Sequence, residues 1–147
     1  SSDMADLTAH HVGITVSDLD AATEFYRSVF DCDRLAEFSV DGDAFATGVD
    51  IEAASAEFVH LDLGSVRLEL VAYDPAGDDR SRAALNDAGA THLGVEVDDV
   101  DDFYASLPAT VETLSPPQTT ATGTKICFLR DPDGTLIEVL NPNADPS

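Results

Sequence analysis

Lysine is nearly absent. The 147 residues hold one, Lys125, and lysine plus arginine number 7 against 29 acidic residues, a formal net charge of −22. Binding a polyanion needs clustered cations, so nucleic acid and anionic membranes are excluded as partners. Cysteine is scarce too: Cys32 and Cys127 stand far apart and form no CxxC pair. That usage fits a reducing compartment, with both thiols as small buried hydrophobes, and the cytoplasm is the expected location. Long apolar runs are missing, and none approaches the ~18–20 residues that span a bilayer. No basic segment followed by an apolar stretch opens the chain, so no signal peptide is expected. The opening SSDMADLT reads as a processing or tag remnant.

Acidity with 7% aromatics would suit a disordered chain, but the apolar residues, 44% of the total, fall in periodic runs and suit one compact unit. A cytoplasm at high salt explains the acid excess better. At 1 M salt the Debye length is about 3 Å, so self-repulsion is screened. A halophilic source is expected, with a lower melting temperature in dilute buffer than in molar KCl.

The chain contains a repeat. A shift of 92 − 11 = 81 residues lays His11 on His92, Gly13 on Gly94, Val16 on Val97, Asp18 on Asp99 and Asp20 on Asp101. Val12/Leu93, Ile14/Val95 and Leu19/Val100 are apolar swaps between them. Each copy reads as a strand, an acidic junction and an amphipathic helix, with Ser17 or Asp18 and Asp98 or Asp99 as N-caps. Further strands are expected near 34–40, 56–63 and 65–73 in the first copy, with a hairpin turn at Gly64-Ser65. In the second copy they are expected near 109–114, 124–130 and 135–140, with RDPDGT as the last turn. The order is βαβββ, twice: an α+β fold with modules at 8–78 and 91–142, joined by a linker at 79–90 that holds a short helix. SPPQTTATGT reads as an exposed loop or flap, and VDGDAFATGVDIEAAS as a similar excursion.

Strand alternation places Val12, Ile14 and Val16 toward the core and His11 on the other face; His92 leaves its strand likewise. His10 should point the opposite way and be structural. Each copy ends in a strand with one glutamate inside an apolar run, Glu69 in VRLELVA and Glu138 in GTLIEVLNP. A lone charge there is costly unless paired or bound to a metal. If the modules pair side by side, His11, Glu69, His92 and Glu138 line one cup. Two nitrogens and two carboxylates suit a divalent Zn, Ni, Co or Mn ion. Such an ion would be a Lewis acid toward a carbonyl oxygen, acidifying the adjacent C–H, and a carboxylate beside it could move the proton. His60 is a candidate contact to substrate or to a ligand, or a surface residue. Arg67 either anchors a substrate carboxylate or pairs with Glu69, the latter being favoured.

HHVGITVSDLDAATEFYRSVF, VRLELVAYDP, THLGVEVDDVDDF and FLRDPDGTLIEVLNP together resemble the vicinal oxygen chelate superfamily. That group includes glyoxalase I, methylmalonyl-CoA epimerase, extradiol dioxygenases, and fosfomycin- and bleomycin-resistance proteins. The resemblance implies paired βαβββ modules forming a cupped eight-stranded sheet around a metal. Its ligands would be His11, Glu69, His92 and Glu138, with Glu138 as the base and Glu69 as the alternate. Glutamate at position 69 leans toward the glyoxalase I pattern over the epimerase pattern. The implied activity is a metal-dependent isomerase or lyase acting on a small vicinal-oxygen metabolite, in a homodimer. The alternatives are a metal-free small-molecule binding protein and an Fe(II) dioxygenase.

Overall fold

The computed structural model describes residues 6–144. The first five residues of the segment read as a remnant lie outside that range. The chain divides between Gly77 and Asp78 into two compact units, each carrying one copy of the repeat.

The first unit runs β1 (His11–Thr15), α1 (Leu19–Phe30), β2 (Arg34–Val40), α2 (Asp43–Val49), β3 (Ser55–Asp62) and β4 (Arg67–Asp74). β1 lies parallel to β4, while β3 pairs antiparallel with both β4 and β2, so the sheet order is β1-β4-β3-β2. The second unit runs β5 (Leu93–Glu96), α3 (Val100–Ala105), β6 (Gln118–Thr119), β7 (Lys125–Arg130) and β8 (Leu136–Asn141), in the order β5-β8-β7-β6. Among the described residues the fold is α+β, with eight strands divided into two four-stranded mixed sheets.

α1 and α3 start where a carboxylate can accept an orphan N–H. Asp18 takes the Ala21 amide at 3.0 Å and Asp99 the Asp102 amide at 2.9 Å, at equivalent places in the repeat. α1 packs on β3 and β4, burying Tyr26 and Ala22 beside Leu61, Leu68 and Leu70. α3 packs on β7 and β8, where Val100, Leu129, Ile137 and Val139 are buried. Each such leucine, isoleucine or valine contributes about 1.5–3 kcal/mol by leaving water. These cores hold Leu68 and Leu70, Ile137 and Val139 on one face of the final strands, and alternation turns Glu69 and Glu138 to the other.

Three local expectations change. No helix forms over 79–87; residues 81–89 make turns, with Asp79 and Asp87 accepting backbone amides of Ser81 and Ala84. The excursion after β2 contains α2, which brings Phe45 against Phe58 and Tyr73. The strand expected near 109–114 is broken. Arg130 donates to the Glu112 carbonyl and Leu114 to that of Phe128, each at 2.9 Å, and the pairing with β7 resumes only at β6, inside the segment read as a flap. Pro116-Pro117 lies between, and proline has no N–H for the ladder.

Candidate metal-binding pairs and their support

In the first unit the parallel pairing of β1 with β4 sets Gly13 beside Glu69 and His11 beside Arg67. Glu69 Oε1 lies 3.6 Å from His11 Nε2. A Cβ on Gly13 would sit 3.7 Å from that oxygen and 3.9 Å from the His11 ring. Glycine therefore keeps open the space beside both donors, which a larger side chain would enter. His10 does not turn away as expected. Its Nδ1 is 2.8 Å from His11 Nδ1, which leaves His11 Nε2 directed at Glu69.

His60 stands opposite Glu69 across the β3–β4 ladder. Only 4% of it is exposed, and its Nε2 lies 2.8 Å from Glu69 Oε2. Arg67 does not pair with Glu69 as favoured from sequence; its Nη1 reaches His60 Nδ1 at 3.3 Å. A guanidinium has no acceptor, so His60 Nδ1 accepts and its Nε2–H donates to the carboxylate. Beyond this polar group the same face turns apolar: Phe38 stacks on Phe58 and meets the His60 ring edge-on, and Phe58 and Val71 are buried.

The second unit repeats the pair. β5 runs parallel to β8 with Gly94 beside Glu138, and His92 directly precedes β5. His92 Nε2 is 3.3 Å from Glu138 Oε1. Behind Glu138 the ladder supplies Phe128, whose ring meets that of His92 at 5.3 Å, nearly edge-on.

Both nitrogen–oxygen separations exceed the length of a strong charge-assisted hydrogen bond. The 3.3 Å of His92–Glu138 matches two donors on one cation, since ligands ~2.1 Å from a metal and 90–109° apart lie roughly 3.0–3.4 Å from each other, and the 3.6 Å of His11–Glu69 is wider than that range. Each pair offers one imidazole nitrogen and one carboxylate oxygen, donor types that divalent first-row metals accept. Among the described residues no group of three or more histidine, cysteine, aspartate or glutamate side chains is arranged to hold a metal ion.

The thiols take no part. Cys32 and Cys127 are buried and free. Burial pushes both thiols above their ordinary value, and Asp62, Asp31 and Asp33 add to the effect at Cys32. No described helix is long and apolar enough to cross a membrane.

Comparison with known proteins agrees with this architecture. The chain is 32% identical over 146 residues to a 2-epi-5-epi-valiolone epimerase from an Actinomyces species, covering 92% of this chain and 79% of that protein. A glyoxalase family protein from Bacillus cereus shares its fold with a TM-score of 0.83 at 21% identity, over 95% of this chain and 97% of the other. The trypanothione-dependent glyoxalase I of Leishmania major superposes with a TM-score of 0.64 at 24% identity, over 93% and 88% of the two chains. The family model of the Glyoxalase/Bleomycin resistance protein/Dioxygenase superfamily matches residues 8–139, and the chain belongs to that superfamily.

Proposed function

We propose that this chain is a metal-dependent isomerase or lyase that moves a proton on a small metabolite bearing neighbouring oxygens. The observation that carries the reading is the duplicated pair, His11–Glu69 and His92–Glu138, at matching positions of two strand pairs. The epimerase relative supports an isomerase over the other chemistries of the superfamily. It also shifts weight from the glyoxalase I pattern toward epimerisation.

In this reading His11, Glu69, His92 and Glu138 hold one Zn, Ni, Co or Mn ion, which when bound supplies Lewis acidity toward a substrate carbonyl. Glu138 takes the proton from the carbon next to that carbonyl and returns it. Glu69 is the alternate base. Gly13 leaves room beside the first pair of donors for the substrate's oxygens. The apolar wall of Phe38 and Phe58 excludes water from the substrate's carbon frame. The same reading takes the protein as a cytoplasmic homodimer adapted to high salt.

The test strips the protein with EDTA, returns each divalent metal in turn, and follows exchange of carbonyl-adjacent protons in D2O by NMR. The substrates are a panel of small hydroxyketones that includes 2-epi-5-epi-valiolone. Exchange that appears only with one metal per chain is expected. A chain that never takes up stoichiometric metal contradicts the proposal. Melting in dilute buffer against molar KCl tests the salt adaptation, with the higher temperature expected in KCl.

A further inference from the structure

We propose that Arg67 and His60 are positioning residues that lock the Glu69 carboxylate, making the two glutamates unequal: Glu69 a fixed anchor, Glu138 the one free to turn. The purpose of the lock rests on the proposed function; the lock itself is a property of the first unit alone.

The chain of contacts has one direction. Arg67 Nη1 donates to His60 Nδ1 at 3.3 Å, and His60 Nε2–H donates to Glu69 Oε2 at 2.8 Å. The guanidinium thus selects one imidazole tautomer, the one with its proton facing the carboxylate. His60 is nearly fully buried, so rotating Glu69 away would leave a donor with neither partner nor water. With Oε2 held, Oε1 stays directed at His11 Nε2. Groups behind a metal-binding side chain commonly fix its orientation in this way.

Among the described residues Glu138 has no equivalent. The residue opposite it across the ladder is Phe128, where Glu69 has His60. Two positions before it stands Leu136, where Glu69 has Arg67. Neither side chain can donate a hydrogen bond. Among the described residues the side-chain partner of Glu138 is His92, its fellow ligand in the proposed function. Glu138 can therefore turn without orphaning a buried donor, as a group that carries a proton between two positions must. Both ring nitrogens of His60 are engaged, so it supports Glu69 rather than touching substrate.

The experiment compares wild type with three variants: His60→Phe and Arg67→Leu, which copy the second unit, and His60→Gln, whose amide can still donate to Glu69. Long-range 1H–15N NMR of the metal-free protein reads the imidazole tautomers. Wild-type His60 protonated at Nε2, and a tautomer mixture in Arg67→Leu, are expected; a wild-type Nδ1–H tautomer overturns the lock. Cobalt titration followed by visible absorption reads the consequence. His60→Phe is expected to bind cobalt about 10–100-fold more weakly at unchanged stoichiometry, with His60→Gln recovering most of the loss. Wild-type affinity in a folded His60→Phe protein overturns the anchor role. A wild-type chain that takes up no cobalt instead overturns the proposed function, and the tautomer measurement then decides the lock.

Discussion

The two units share a backbone plan and differ in what stands behind their carboxylates. In the first, a buried histidine and an arginine back Glu69; in the second, a phenylalanine and a leucine back Glu138. Duplication copied the strand, the capped helix and the His–Glu pair. The residues behind the pair differ between the copies. A symmetric framework with asymmetric support gives two donors of one type different freedom, which is useful where one must stay and the other must move.

The largest expected difference is catalytic. Glu138→Gln should lower proton exchange by about 10²–10⁴-fold while metal is retained, whereas Glu69→Gln should act first on metal affinity. Exchange rates and metal titrations on both variants separate the two; equal losses of both properties would erase the asymmetry. The framework should respond symmetrically. Leu68 and Ile137, each fully buried one position before the glutamate, should each cost about 2–5 kcal/mol on truncation to alanine, read by chemical denaturation. The turns differ again. Asp131 is buried and its Oδ1 accepts the amides of Asp133, Gly134 and Thr135, whereas exposed Asp62 accepts that of Gly64. Asp131→Ala should lose about 1–3 kcal/mol and Asp62→Ala under about 1 kcal/mol. The smallest effect concerns the thiols, one in each unit. Their native values lie above the ordinary 9.0, so the unfolded chain gives up the thiol protons first. The stability they contribute is full below about pH 9 and is lost as pH climbs through the native values. The denaturation midpoint should fall from pH 8 to pH 10, and fall less in a Cys32→Ala/Cys127→Ala protein.

Much of this was legible in the residues. The 81-residue repeat located both strands and both caps, because an Asp before an apolar stripe is a local signal. Alternation around Glu69 placed it on the His11 face because Leu68 and Leu70 mark the core side so clearly. His60 was only a candidate from sequence, although a signal existed. The Leu63 amide donates to the Val66 carbonyl, closing a two-residue turn at Gly64-Ser65 with Gly64 at φ 94°. That turn sets Arg67 opposite Asp62 and, counting back along the ladder, Glu69 opposite His60. Arg67 drew the wrong partner because same-strand spacing favoured Glu69, whereas the cross-strand neighbourhood favoured His60. The broken strand after Glu112 was harder to place. Pro116-Pro117 reads as an end of pairing, and nothing local says that pairing resumes at Gln118. The linker helix failed because its alanine-rich stretch has no core face to bury, and helix propensity alone rarely suffices in a short segment.

The most direct test of the central claim is the metal stoichiometry of the wild-type chain beside His11→Ala and His92→Ala, read by titration and native mass spectrometry. One divalent ion per chain, lost in either variant, is the predicted result. Two independent ions per chain, or full affinity surviving the loss of one of these histidines, would contradict a centre built jointly by the two copies.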